Sequence, residues 1–459
     1  MSISLLPREV LLLVIENVLL GKGKKDTAVW ESFVDLLTLT ALDSFWRNLI
    51  IGYSPFWTEI HIKIPPSRYI RPETPTRILA SDLERVGCFL RRSNHSSIDL
   101  HIVRSWLDWP KSIEDAMVIE REWRSMYELL IPHLHRARFM RASLADVANM
   151  VEPLRLLQLC ELPHLEDLEL IFPRPSYVRS RFDGDKKPLG KGWNILPQTT
   201  PLLSLKFSDP TRYLPEILDV PWPTLSTLDL EVHIQWWPKL CSTLSQLPAL
   251  LELRLYIISP RIDTSSQGTE PTKPRYSAVL LPLVERVTTN DLAIWHDIST
   301  PALSSISITY TKPYSALAGP TQGVDRTAEG LLRTLAGGHV REVIFTGCTL
   351  KADEALFPLR AFASVEHLRF NHSYSNWKVL EPLAEERENR AQLGPGQPFV
   401  TENEIILPSL KRVSIEESKN SFPAAVDTPK TQAVVSRLRA VSIDVTWTLE
   451  SVSWERAPR

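Results

Sequence analysis

A short apolar motif recurs along most of this chain and constrains its fold more than any other feature. In each copy the first, fourth and sixth of six residues are hydrophobic, as in Leu165, Leu168 and Leu170. Successive copies lie about 32 residues apart on average, a repeat length of solenoid proteins, in which each unit buries its apolar edge against the next. Clear copies begin at Leu134, Leu165, Leu202, Leu225, Leu250, Leu303, Val340, Val365, Leu410 and Leu438, and weaker copies lie at Trp57, around Leu100 and at Val284.

The alternation within each copy predicts a short strand with one buried face, formed by the fourth and sixth positions. Residues between the copies, such as 240–247 and 331–335, carry helical spacing. Proline supports the same junctions independently, because it ends a helix and disfavours helix in the residue before it. The sequence therefore predicts an α/β protein in which strands alternate with helices and loops. The prolines that stand two residues before a first apolar position are Pro132, Pro163, Pro223, Pro248, Pro282, Pro301 and Pro408.

One copy extends beyond the six-residue motif. The segment from Val340 to Leu350, which contains Cys348, resembles the full consensus of the leucine-rich repeat. Most other copies lack the asparagine or cysteine of that consensus. The resemblance implies that residues 63–459 form an irregular leucine-rich-repeat solenoid, with parallel strands on its concave face and helices and loops outside.

Strand alternation also assigns residues to that concave face. If the fourth and sixth positions are buried, the third, fifth and seventh positions line the opposite face of the sheet. Both charge signs occur there, which suits a protein or peptide partner better than a uniformly charged polymer, and a merely solvated sheet face is the alternative. The assigned residues are Arg136, Arg138, Asp167, Glu169, Ser204, Lys206, Asp229, Glu231, Glu252, Arg254, Tyr256, Glu342, His367, Arg369, Arg412, Glu416 and Asp444. Target binding is expected at Asp167, Glu169, Asp229, Glu231, Arg254, Arg369 and Arg412.

The amino-terminal segment is predicted to be helical and unusually apolar. Pro7 suits a first helical turn, and a helix is predicted from Pro7 to Leu20, with apolar residues around a full turn at 10–15. A second helix is predicted over residues 30–51. About fifty residues cannot cover this much apolar surface themselves, so either the rest of the chain or a partner protein covers it.

Four blocks in this segment resemble the F-box family, in the version common in fungi. The first block, residues 6–11, looks like the Leu-Pro-x-Glu-hydrophobic opening of the F-box. Residues 35–39 resemble the middle of that motif, residues 42–49 resemble the part around its tryptophan, and residues 54–60 are similar to its Pro-x-hydrophobic-Trp close.

The F-box resemblance implies a partner and a role. An F-box domain, here residues 1–62, binds a Skp-family adaptor and through it cullin, while the repeat domain, residues 63–459, binds a target protein. The implied function is substrate recognition in an SCF-type E3 ubiquitin ligase, in which associated enzymes carry out the catalysis. A non-ligase F-box protein or a plain leucine-rich-repeat interaction scaffold is the alternative. The residues expected to bind the adaptor are Leu6, Pro7, Val10, Val14, Leu36, Leu39, Leu42 and Trp46.

Composition argues against other partner classes. Lysine and arginine (52) nearly balance aspartate and glutamate (54), so the net charge of −2 provides no field that would attract nucleic acid or an anionic membrane surface. The four cysteines form no CxxC pair, which favours a reducing compartment, the cytoplasm, the nucleus or both.

Motifs for catalysis or metal binding are also missing from the sequence. The usual phosphate-loop, hydrolase and zinc-protease signatures do not occur. The pairs His133 with His135 and His367 with His372 have no third ligand at a motif spacing, so we expect ordinary surface histidines. We therefore predict no enzyme activity, no metal and no cofactor.

Overall fold

The chain is an α/β protein with a parallel sheet of thirteen strands and several helices in the part that the computed structural model describes. Contacts group the residues into two compact units. Unit 1 contains Met1–Lys206 and Glu216–Pro221, and unit 2 contains Phe207–Pro215 and Trp222–Arg459. The predicted domain boundary at residue 62 stays a prediction. The structure describes residues 6–19, 38–64, 75–104, 125–143, 160–171, 196, 199–208, 222–233, 237–258, 279–290, 294–295, 297–309, 340–346, 364–371, 377–392, 407, 409–418 and 428–450.

Unit 1 begins with short helices. Helix α1 spans Arg8–Leu19, which agrees with the helix predicted from Pro7, and residues 38–42 are helical. The single helix predicted over residues 30–51 is wrong at Asp43. Asp43 has an extended backbone, and its carboxylate accepts a hydrogen bond from the Trp46 backbone N–H at 3.0 Å. It therefore caps the start of a new helix, α2, at Ser44–Ile51.

The strands of unit 1 are parallel and follow chain order. Helix α3 (Pro75–Arg92) connects the first two strands, and a 3₁₀ segment (Ile131–Arg136) leads into the third. The strands are β1 (Glu59–Ile64), β2 (Ile98–Arg104), β3 (Ala137–Ser143) and β4 (Asp167–Ile171). A fifth strand, β5 (Ser204–Ser208), falls where the two units divide.

Unit 2 has the same parallel arrangement. Helix α4 (Trp237–Leu244) precedes strand β7 (Glu252–Ile258), α5 (Trp377–Gln392) precedes β14 (Arg412–Ser418), and α6 (Thr428–Ala440) precedes β15 (Asp444–Glu450). Two short strands, β8 (Val279–Leu280) and β10 (Ile298–Ser299), pair with each other. The other strands are β6 (Thr227–His233), β7 (Glu252–Ile258), β9 (Arg286–Thr289), β11 (Ser305–Thr309), β12 (Glu342–Thr346), β13 (His367–Asn371), β14 (Arg412–Ser418) and β15 (Asp444–Glu450).

The predicted alternation matches the burial of most strands. Strands β4, β5, β11, β12 and β13 each bury their second and fourth residues and leave the others half-exposed. The core of each unit therefore lies against one side of its strands. We call the other side, formed by the half-exposed and exposed strand residues, the polar face. Six of the predicted junction prolines lie in turns or 3₁₀ segments just before a strand, and Pro408 lies outside the described residues, as do Cys348 and Leu350.

Two copies of the motif depart from the predicted phase. In β3 the pairing shifts by one residue, because Ile98 pairs with Ala137 but Asp99 pairs with Phe139. This bulge leaves Phe139 half-buried on the polar face and makes Met140 the buried residue.

Arg136, expected on the concave face, is 6% exposed, which corrects its assignment. Its guanidinium donates to the Leu90 carbonyl at 3.4 Å and to the Ser93 hydroxyl at 3.3 Å. These acceptors explain why an arginine is stable in a buried position just before β3.

The strand of the last copy lies four residues later than the motif predicts, because Val445 and not Val441 pairs with Val413. The motif at Val441 and Ile443 follows directly on helix α6, and β15 begins only at Asp444. In the sheet, Val445 pairs with Val413 and Asp444 pairs with Arg412. Asp444 therefore lies on the polar face as predicted, but at a different position of the repeat.

No helix within the described ranges is long and apolar enough to cross a membrane.

Candidate functional site

Helix α1 has apolar side chains on two opposite faces. Leu11, Leu12 and Ile15 are buried. On the opposite side of the helix, Val10, Leu13 and Val14 lie three and four residues apart, and Leu6 comes just before the first residue of the helix. Together these four side chains form one stripe. This exposed stripe consists of Leu6, Val10, Leu13 and Val14, which are 40%, 41%, 58% and 46% exposed.

The following helical segment also exposes apolar side chains. Leu42 is 62% exposed and Phe45 is 41% exposed, whereas Leu49 and Ile50 of α2 are buried. The beginning of α1 lies near the end of α2, because the Arg8 guanidinium comes within 3.5 Å of the position where a Cβ on Gly52 would stand.

The eight residues predicted to bind an adaptor are placed as follows. Leu6, Pro7, Val10, Val14 and Leu42 are exposed, and Leu39 and Trp46 are half-buried. Leu36 lies outside the described residues. Five of the eight side chains are therefore accessible to a partner in this structure.

A charged network covers the polar face of unit 2. The Arg254 guanidinium lies 2.6 Å from the Glu252 carboxylate and 3.9 Å from that of Asp229, and Arg286 contacts Glu252 at 2.9 Å. The Glu231 carboxylate accepts a hydrogen bond from the Ser208 hydroxyl. The acids of this region are thus interleaved with arginines and do not form a separate acidic block.

A second network lies farther along the same face. Arg369 contacts Glu342 at 3.6 Å and Glu416 at 3.9 Å, and Arg412 contacts Asp444 at 3.6 Å. His367 lies 3.3 Å from Glu342 and is hydrogen-bonded to the Ser414 hydroxyl at 2.9 Å. Because these side chains remain partly in water, each pair contributes little to stability, typically about 0–1 kcal/mol, and keeps its charge available to a partner.

The polar face of unit 1 carries two of the predicted target-binding residues. Burial raises the pKa of Asp167, while a hydrogen bond with Ser204 acts in the opposite direction. Glu169 lies 3.4 Å from Arg141. Beside them, Arg138 donates to Asp99 at 2.9 Å, which raises the pKa of the guanidinium.

The first two strands of unit 1 bring together a cluster that sequence reasoning missed. His61 and His101 are paired across β1 and β2, and their rings stack with centroids 4.2 Å apart and planes 5° from parallel. The Glu59 carboxylate lies 2.8 Å from His61 Nε2 and 3.7 Å from His101 Nε2. A signal was present in the sequence, because both histidines occupy the fifth position of their repeat and adjacent repeats place that position side by side.

The histidines of the predicted surface pairs have other contacts. His133 Nδ1 lies within hydrogen-bonding distance of Arg136, and burial lowers the pKa of His133. His372 lies outside the described residues, and nothing described brings a third ligand to His133 or His367.

The Glu59 cluster makes the stability of unit 1 depend on pH. Burial and the nearby charges of His61 and Arg141 lower the pKa of His101 from 6.5 to about 4, while Glu59 and Asp99 act in the opposite direction. Between these two values the unfolded chain binds a proton that the folded chain does not, so the free energy of unfolding decreases as the pH falls from 6.5 to about 4.

We expect replacement of His101 by glutamine to flatten this acid sensitivity. The shift corresponds to at most about 3 kcal/mol, and solvent screening of a partly exposed ring makes the effect smaller. The measurement is the thermal unfolding midpoint at pH 7 and pH 4.5 for the wild type, H101Q and the control H164Q, which replaces an exposed histidine. An unchanged difference between the two pH values in H101Q would contradict this origin of the acid sensitivity.

Comparison with known proteins gives no family assignment: no family model matches this chain, and a search of curated proteins finds no match.

Proposed function

We propose that this chain is a substrate-recognition adaptor of an SCF-type E3 ubiquitin ligase. In this proposal the amino-terminal helices are an F-box that binds a Skp-family adaptor, and through it cullin. The strand array is an irregular leucine-rich-repeat solenoid that binds a target protein. The observation that carries the proposal is the exposed apolar stripe, of which Leu6 and Val10 lie within the first block of F-box-like residues.

The stripe has the physical character of a docking surface. A surface helix of a globular protein normally has one apolar face, which packs on the core, and a polar face toward water. Helix α1 already buries Leu11, Leu12 and Ile15, yet its other face also carries large apolar side chains. Contiguous exposed apolar surface of this kind commonly marks a site of protein association, because covering it removes apolar area from water.

The resemblance supplies the identity of the partner. Val10 of the stripe and Leu42 of the next helical segment lie in the F-box-like blocks, and Val14 follows Val10 by one helical turn; all three are exposed. A Skp-family adaptor that covers them would bury apolar surface at about 25 cal/mol per Å². The affinity would be set by the part of this burial free energy that exceeds the entropy cost of association.

The polar face supports the second half of the proposal. Its arginines and carboxylates alternate in sign over several strands, which gives a patterned surface for a protein target with complementary charges. Such charges act mainly on the association rate and on salt dependence. In this proposal the chain itself is not an enzyme, and ubiquitin transfer belongs to the associated enzymes.

Co-purification tests the proposal directly. The full chain is expressed with an affinity tag in a fungal cell, and the captured proteins are identified by mass spectrometry. Capture of both a Skp-family adaptor and cullin supports the ligase function. Capture of the adaptor without cullin would favour a non-ligase F-box protein, and capture of neither would contradict the proposal.

We expect charge reversal on the polar face to weaken target capture. Asp229→Lys removes a carboxylate that lies 3.9 Å from Arg254, and Glu231→Lys removes the acceptor of the Ser208 hydroxyl. Together the two substitutions leave a net positive patch. Target capture should fall and should lose most of its salt dependence, while adaptor capture should be unchanged. The measurement is quantitative mass spectrometry of captured proteins at two salt concentrations.

The control exchanges the charges of an exposed pair outside this network. Lys411 and Glu366 lie 3.0 Å apart, so Lys411→Glu with Glu366→Lys keeps the pair and the net charge. Residues 259–277 form a polar, proline-containing stretch of the sequence between β7 and β8. If the Asp229 and Glu231 reversal leaves the captured targets unchanged while deletion of residues 259–277 abolishes their capture, target recognition lies in that segment and the assignment to the polar face is wrong.

A further inference from the structure

The Glu59 cluster presents three potential metal ligands from two adjacent strands. The ligand atoms of Glu59, His61 and His101 all lie within 4.8 Å of one another. No other group of three potential metal ligands lies this close together in the part of the chain that the structure describes. We propose that these residues bind a divalent transition-metal ion, with zinc as the best-suited ion. This site is independent of the proposed ubiquitin-ligase function.

The distances within the cluster suit a metal ion. With metal–ligand bonds of about 2.0–2.1 Å, the ligand atoms of a tetrahedral zinc site lie about 3.4 Å apart. The observed separations of 2.8 and 3.7 Å from the Glu59 carboxylate to the two Nε2 atoms fall on either side of this value. The two rings are stacked with their planes 5° from parallel, so each must turn about its Cβ–Cγ bond until its Nε2 lone pair points at the shared ion.

The donor types also suit zinc. Two imidazole nitrogens and one carboxylate oxygen form a common three-residue ligand set for zinc, and imidazole favours transition metals over calcium or magnesium. A fourth coordination position would remain for water or for a group from a bound partner. The sequence-based expectation of no metal site did not consider this set, because its members are up to 42 positions apart.

The surrounding structure holds the ligands in place. The parallel pairing of β1 and β2 sets His61 directly beside His101. Arg85 of α3 donates to the His61 backbone carbonyl at 2.8 Å and is itself paired with Asp82 at 3.0 Å. The Phe139 ring packs against His101 with centroids 5.0 Å apart. The strand pairing and the Arg85 contact fix the backbone positions of the two histidines, so ion binding has to order only side-chain torsions.

The nearby charges are balanced. Arg141 stands beside His101 on β3 and would repel a cation, but it lies 3.4 Å from the Glu169 carboxylate. Asp99, which pairs with Glu59 across the strands, adds a second acid near the site. A bound ion would join the first two strands of unit 1 and keep one coordination position open.

Equilibrium dialysis against zinc tests the site. The full chain is first dialysed against a chelator and then against zinc chloride, and bound zinc is measured by elemental analysis. We expect one equivalent of zinc with micromolar or tighter affinity. Replacing zinc by cobalt should give the visible absorption of a cobalt ion with imidazole ligands. No zinc bound at ~100 µM free ion would overturn the proposal.

Variants locate the ion among the eleven histidines of the chain. His61→Ala and His101→Ala should each weaken zinc binding by at least about 100-fold, since loss of a direct ligand exceeds the 10- to 100-fold typical of outer contacts. Glu59→Gln keeps the size of the side chain, and the Glu59 side chain is 45% exposed, so this variant should fold as the wild type does. It should weaken zinc binding at least tenfold. The control is His164→Ala, at an exposed histidine of the same unit, which should bind zinc as the wild type does. Stoichiometric zinc binding of unchanged affinity in Glu59→Gln and in any folded histidine variant would place the ion elsewhere and overturn the proposal.

Discussion

Placing a charge on the exposed apolar residues of the amino-terminal helices should reduce capture of a Skp-family adaptor by at least tenfold. The clearest variants are Val10→Glu on α1 and Leu42→Glu on the next helical segment. Both side chains are exposed in the structure, at 41% and 62%, so substitution should change the free energy of unfolding by no more than about 0.5 kcal/mol. Covering a carboxylate with an apolar partner surface removes it from water without a compensating charge, which costs far more than the 1.4 kcal/mol that a tenfold loss requires.

The structure provides a closely matched control. Leu280 in the short strand β8 is 61% exposed, almost the same as Leu42, but it lies in unit 2 and outside the F-box-like blocks. Leu280→Glu should therefore leave adaptor capture unchanged. Binding is measured with purified adaptor by calorimetry or by quantitative pull-down. Equal capture by Leu42→Glu, Val10→Glu and the wild type would show that the adaptor does not bind these residues.

The strand array could be predicted from sequence because one short-range rule governs it. Each strand places alternate residues in the core. The local pattern therefore predicts a strand at Leu168 and Leu170, and another at Leu368 and Phe370, without information from elsewhere in the chain. Proline marks the junction before seven of the thirteen copies of the motif for a similarly local reason.

Prediction failed where a local choice depends on distant contacts. Arg136 resembles a surface residue in sequence, but acceptors in the segment 90–96 allow it to be buried. The bulge in β3 depends on how that strand pairs with β2, and the motif near Val441 is displaced because helix α6 extends to Ala440. None of these contacts lies within the six-residue motif, so the motif could not reveal them.

The same distinction between local pattern and distant contact applies to the candidate sites. The sequence predicts apolar residues around a full turn of α1, but it does not decide which face of the helix packs inside and which stays exposed. The Glu59 cluster was missed because a search for metal sites by ligand spacing examines one segment at a time. Comparing equivalent positions in adjacent repeats would have placed His61 beside His101.

Truncating Trp57 should destabilise unit 1 more than any exposed substitution discussed here. Trp57 is fully buried, and its indole N–H donates to the Ile50 carbonyl of α2 at 3.0 Å. Its ring meets Phe89 of α3 edge to face, with centroids 5.1 Å apart, and the Arg92 guanidinium lies 4.4 Å from the ring centroid. Trp57 therefore joins the helical segment to α3. Trp57→Ala should reduce the free energy of unfolding of this region by about 3–5 kcal/mol.

A conservative variant separates the two kinds of contact made by Trp57. Trp57→Phe keeps an aromatic ring against Phe89 but removes the N–H donor. The Ile50 carbonyl still accepts from the Tyr53 backbone N–H at 3.3 Å, so the lost hydrogen bond costs about 0.5–1.5 kcal/mol. Hydrogen exchange measured by mass spectrometry on peptides from α2 and α3 is the appropriate method, because two compact units need not unfold together. Phe45→Ala, at a 41% exposed ring of α2, is the control and should leave exchange nearly unchanged. If Trp57→Ala alters exchange no more than Phe45→Ala does, the connection between the helical segment and α3 depends on other contacts.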